Sequence, residues 1–155
     1  MTVASILQET NKAKIAHQRW VKRADHLITG LPVEKEFIPL EPTSCAFGQW
    51  FYSQGSQLRT IGSIKDVLSQ IEKYHDELHD IYGRIYKIYF MMPQNRTLLQ
   101  KIMTFNSKKV TKNEQLEAQK YYKLLEESSE TLLYLVEQFE LKVKELTYTD
   151  LEFKH

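Results

Sequence analysis

The chain has 155 residues, 21 of them basic and 20 acidic, with a single cysteine and five histidines. That length buries a core without a metal to stand in for one, the near-neutral charge without any block of like charges argues against a DNA or RNA partner, and one cysteine rules out an internal disulfide framework. There is no basic start followed by an apolar run and no apolar stretch long enough to span a bilayer, so the expectation is a single soluble, cytoplasmic domain over residues 1–155 with no membrane association.

Only five glycines and four prolines occur, and they cluster, which leaves long stretches free to be helical. From Val3 to Ile28 the residues Val3, Ile6, Leu7, Ala13, Ala16, His17, Trp20, Val21, Ala24, Leu27 and Ile28 recur at three- and four-residue steps, and Gly30 and Pro32 end the run. His17 and Trp20 thus share the apolar face of a first long helix. Pro32, Pro39 and Pro42 mark a loop, after which Thr43 or Ser44 caps a short helix carrying Cys45, Phe47, Trp50 and Phe51, with the cysteine in its first turn. Gly55 to Gly62 reads as another connection.

Ser63 is positioned to cap a second long helix, in which Ile64, Val67, Leu68, Ile71, His75, Leu78, His79, Ile81, Tyr82, Ile85 and Tyr89 keep helical spacing up to about Met92, before Pro93. A weaker amphipathic stretch follows from Asn95 to Lys109 through Leu98, Leu99, Ile102, Met103 and Phe105. Thr111 then opens a final helix to about Leu146, with Leu116, Tyr121, Leu125, Leu132, Leu135, Val136, Phe139, Val143 and Leu146 on its buried side. No internal repeat or domain boundary interrupts the pattern. The expected fold is all-α, a four-helix-bundle-like domain with a short cysteine-bearing helix and an extra helical segment before the last helix. Short connections favour antiparallel neighbours.

The chemistry is concentrated in His17-Gln-Arg-Trp20, Cys45-Ala-Phe-Gly-Gln-Trp50 and His75-Asp-Glu-Leu-His79. A four-residue step puts His75 and His79 on one helix face, a turn apart and close enough to share an ion. By themselves the two are equally well read as amphipathic side chains at the edge of an apolar face, each satisfied by a hydrogen bond. Cys45 at the start of a short helix and His17 on an inner face turn the pair into a three-imidazole, one-thiolate set, which suits tetrahedral Zn2+. Four protein ligands leave no position for an activated water, so such a site points to structure or sensing and not to an enzyme. Trp20, Phe47 and Trp50 read as apolar walls of the site, or as ordinary core, and Gly48 as a place where a helix or an imidazole ring approaches the backbone. Glu72, Asp76 and Asp80 are candidates to accept the second ring proton of a ligating histidine, unless they line a solvated face. His26 and His155 read as surface residues.

These signatures resemble those of the chemoreceptor zinc-binding domain family of bacterial signalling proteins. Its pattern is a histidine with a bulky apolar residue three positions on, then cysteine, any residue, apolar, glycine, any residue, apolar, and later two histidines four apart. His17 and Trp20, then Cys45, Phe47, Gly48 and Trp50, then His75 and His79 match it in order, strongly over Ala13 to Ile85 and more loosely in the last helix. The resemblance implies Zn2+ held by His17, Cys45, His75 and His79, and two inputs, zinc availability and oxidants such as hypochlorous acid acting on the zinc-bound cysteine. It also implies control of a chemoreceptor or a diguanylate cyclase, the enzyme that forms cyclic di-GMP.

No receptor coiled coil and no cyclase motif accompanies the domain, and Phe90 to Lys112 departs from the family pattern as an added segment, so the expected output is regulation of a separate partner in trans. A homodimer is expected as well, from the family and from the aromatic set Tyr74, Tyr82, Tyr86, Tyr89 and Phe90. An iron-containing enzyme or oxygen carrier would need paired Glu-x-x-His segments that the chain lacks. The remaining rival is an interaction protein in which zinc is only a structural staple.

Overall fold

The computed structural model describes residues 1–31, 33, 39–91, 110–147 and 149–151. Among them there are three long helices, α1 (Val3–Ile28), α3 (Gly62–Phe90) and α4 (Lys112–Lys144), and a short one, α2 (Ala46–Tyr52), with no strand. The all-α, bundle-like class expected from the apolar periodicity is the observed one. The amphipathic stretch expected over 95–109 and the added segment before the last helix fall largely on residues 92–109, and these, like His155, lie outside the described residues.

Each long helix begins for a local chemical reason. Thr2 and Ser5 exchange side-chain and backbone hydrogen bonds at the start of α1, and Thr111 and Glu114 do the same at the start of α4, satisfying N–H groups that have no partner within the helix. The expected Ser63 cap on α3 is not observed. A 3-10 helix, Gly55–Thr60, runs almost directly into α3, and Ile61 takes the capping position with its carbonyl accepting from Ile64 and Lys65. α1 closes at Gly30, whose φ of +82° lets the Leu31 N–H reach back to the His26 carbonyl and the Gly30 N–H to that of Leu27.

α4 runs antiparallel to both other long helices. Thr10 of α1 meets Glu140 and His17 meets Ser129, whereas Arg84 of α3 lies over the Tyr121 ring. His75 and His79 line the same cavity as Leu132 and Val136. The helices that pack as neighbours are thus antiparallel, as expected, and α1 and α3, which meet α4 far more than each other, consequently run in the same sense. One apolar cluster takes Ile6, Trp20 and Ala24 from α1, Phe47 and Phe51 from α2, Leu68, Leu78 and Tyr82 from α3, and Leu125, Val136 and Phe139 from α4. Leu116, expected on the buried side of the last helix, is 50 % exposed, since α4 starts before the apolar stripe does. Of the aromatic set on α3, Tyr82 is buried, and Tyr74, Tyr86, Tyr89 and Phe90 are half-buried against this core.

Candidate metal centre

Cys45 owes its position to a cap it makes for itself. Pro42 opens a single 3-10 turn, Pro42–Ser44, and Cys45 follows in extended backbone as the N-cap of α2, its Sγ accepting the Gly48 N–H at 3.1 Å. The cysteine thus lies just outside the helix, where Thr43 or Ser44 had been expected to cap it. Gly48 is required by close approach, though of a different group from the helix or ring expected: a Cβ there would overlap the Pro42 carbonyl oxygen. That contact folds the turn over the first residues of α2 and aims Cys45 at α3.

On α3, His75 and His79 lie a turn apart and are almost fully buried, with ring centroids 4.8 Å apart. Cys45 Sγ is 3.1 Å from His75 Nε2, and one donor atom from each of Cys45, His75 and His79 falls within 4.8 Å of the others. His79 Nδ1 donates to the Leu40 carbonyl at 3.0 Å, leaving its Nε2 with the lone pair an ion needs. His75 Nδ1 is buried with no hydrogen-bond partner among the described residues, and Asp76 Oδ1 lies 4.0 Å from it.

His17 approaches the group without joining it. It lines the same cavity of about 210 Å³ as the three convergent residues, but its Nε2 is hydrogen-bonded to Ser129 Oγ of α4 at 2.8 Å. Trp20 packs beside both His17 and the group, its ring centroid 5.8 Å from that of His17 and 4.8 Å from that of His79. Phe47 meets the edge of His75 at 4.9 Å, and Trp20 and Phe47 both line the cavity. Trp50 sits one layer further out, against Phe47 at 6.1 Å and Gly55.

The electrostatics keep the donor set neutral. Burial, followed by the charge His79 would carry, lowers His17 to about 4, and burial with the charges of His79 and His17 lowers His75 to about 3. Burial also lowers His79, against the opposing pull of its bond to Leu40. It pushes the Cys45 thiol up, although backbone N–H groups, that of Gly48 foremost, act the other way. Neutral imidazoles are the form that ligates a cation, and a nearby cation is what would turn this thiol into a thiolate. In a tetrahedral site the sulfur and nitrogen donors stand about 3.5 Å apart, so the observed Cys45–His75 separation needs little adjustment. The residues fit zinc.

The carboxylates do not play the part the sequence offered them. Glu72 pairs with Arg59 at 2.9 Å, and Asp76 accepts from the Tyr52 hydroxyl at 3.0 Å. Asp80 is exposed. The Leu40 carbonyl and the Ser129 hydroxyl hold the rings instead. The first has no side-chain signature, and the second is one of many serines, legible only once α1 and α4 are packed.

Residues 17–86, just under half of the chain, match the family model of the chemoreceptor zinc-binding domain, a stretch that begins at His17 and takes in Cys45, His75 and His79. No curated protein matches the chain, and no solved structure does. A half-buried thiol and two buried imidazoles are gathered inside the matched stretch, and the match supports a chemoreceptor zinc-binding-domain protein.

Proposed function

We propose that the protein is a cytoplasmic sensory and regulatory domain, not an enzyme, in which Cys45, His75, His79 and His17 close a His3Cys shell around one Zn2+. The observation that carries this reading is the convergence of Cys45 Sγ and the two α3 imidazoles within 4.8 Å in a buried site whose histidines are held neutral. When bound there, Zn2+ would supply the charge that stabilises the Cys45 thiolate. The chain positions that sulfur through the Gly48 N–H, and Trp20 and Phe47 line the cavity beside it with apolar surface.

Hypochlorous acid is the oxidant class the site suits. The Cys45 thiolate takes the hydroxyl of hypochlorous acid to become sulfenic acid and chloride leaves, so that sulfur loses two electrons and chlorine gains them. Sulfenic acid is a poor ligand, and its formation would unclamp α2 from α3. Zinc availability would act on the same clamp. The output is control in trans of a chemoreceptor or a diguanylate cyclase. A homodimer is part of the proposal, and its support comes from α4: Leu116, Tyr134 and Leu141 are exposed, and their spacings of 18 and 7 residues put them on one face.

Zinc content measured before and after stoichiometric hypochlorous acid, beside the Cys45→Ser variant, tests the reading. Release of one zinc per chain from the wild type is expected. Retained metal with unchanged hydrodynamic behaviour would leave zinc as a structural staple. A pull-down with and without chelator then asks whether partner capture depends on the metal.

A further inference from the structure

α4 lies outside the stretch that matches the family model, yet it holds one of the proposed ligands. Ser129, 6 % exposed, places its Oγ 2.8 Å from His17 Nε2. A ring nitrogen engaged with a hydroxyl, whether as donor or as acceptor, cannot ligate an ion at the same time. Cys45, His75 and His79 already stand together, and His17 faces them across the shared cavity. Its ring therefore has two polar destinations around one cavity, the Ser129 hydroxyl and the three convergent donors.

We propose that Ser129 is the alternative partner of His17, which makes His17 an exchangeable fourth ligand. Binding of the ion by Cys45, His75 and His79 draws the ring off Ser129, and the broken α1–α4 bond carries the signal into α4. The inference rests on the reading of His17 as a zinc ligand under "Proposed function". The position is sensitive because the neighbouring Ser128 Oγ is already buried with no hydrogen-bond partner among the described residues. Release of His17 leaves two adjacent hydroxyls of α4 in want of partners, which favours a change in that helix.

Zinc affinity measured by chelator competition on the full chain tests this with S129A, S128A, H17A and the H17A/S129A double variant. Removing the competing hydroxyl should tighten zinc binding by about five- to tenfold in S129A, the size of one hydrogen bond. S128A should match the wild type, and S129A should have no effect in the H17A background. In the wild type, the 15N shift of His17 Nε2 should change on zinc addition, a readout that requires no variant. Unchanged or weaker binding in S129A overturns the proposal, weaker binding making Ser129 a support of the ligating ring. Zinc bound by the wild type but insensitive to H17A removes His17 as a ligand, whereas a wild type that binds no zinc removes the reading beneath the proposal.

Discussion

His79 donates its Nδ1 proton to the Leu40 carbonyl across 3.0 Å, and this one bond leaves Nε2 as the ring nitrogen with a lone pair to offer an ion. A residue of the proline-marked loop thereby sets the donor geometry of a residue 39 positions away on α3. Loop, α2 and α3 are tied at a single point.

Loss of Cys45 or of His79 is expected to weaken zinc binding by more than about 100-fold, since changes to groups that merely orient a ligand already cost about 10- to 100-fold. Cys45→Ser and His79→Ala, compared with wild type by chelator competition, check this. Near-wild-type affinity in both variants would remove the site.

Gly48→Ala should destabilise the protein by about 1–3 kcal/mol, because its methyl group has to displace the Pro42 carbonyl. Thermal unfolding reads the loss. Zinc affinity should fall with it, since the displaced turn is the one that holds Cys45, whereas Gly83→Ala, where a Cβ meets nothing within 4 Å, should not lower stability.

Metal-stripped protein should lose stability as pH falls from about 6.5 toward 4. His17 is lowered to about 4 and His75 to about 3, so over that window the unfolded chain binds more protons than the folded one. The stability they contribute is complete above the unfolded value and declines toward the folded one, by up to about 1.4 kcal/mol per pH unit for each ring. Unfolding midpoints in denaturant, measured across that range, should decline. A flat profile would contradict the burial of these rings in neutral form.

Core and surface positions of α4 should separate cleanly. Phe139 is 1 % exposed, and Phe139→Ala should cost about 3–5 kcal/mol, while Leu116→Ala should stay within about 0.5 kcal/mol. Denaturant unfolding measures both.

If the exposed α4 face joins two copies, Tyr134→Lys should shift the protein to monomers while leaving the monomer folded, because Tyr134 is 59 % exposed. Light scattering coupled to size exclusion reads the mass. A wild type that is monomeric at high concentration would dispose of the dimer.

Helical periodicity by itself determined the three long helices and put His75 with His79 and His17 with Trp20 on inner faces, because a 3.6-residue repeat is a local property of the chain. The four-residue step of His75 and His79 marked a candidate ligand pair for the same reason, while Cys45 and His17 joined it through the family's pattern and not through periodicity. Only the tertiary structure decided that Cys45 caps its own helix, that Gly48 yields to the Pro42 carbonyl, and that Leu40 and Ser129, not Glu72, Asp76 or Asp80, engage the rings. Those contacts are made by backbone atoms and hydroxyl groups brought together from distant parts of the chain, and neither carries a periodic or compositional mark that a sequence displays.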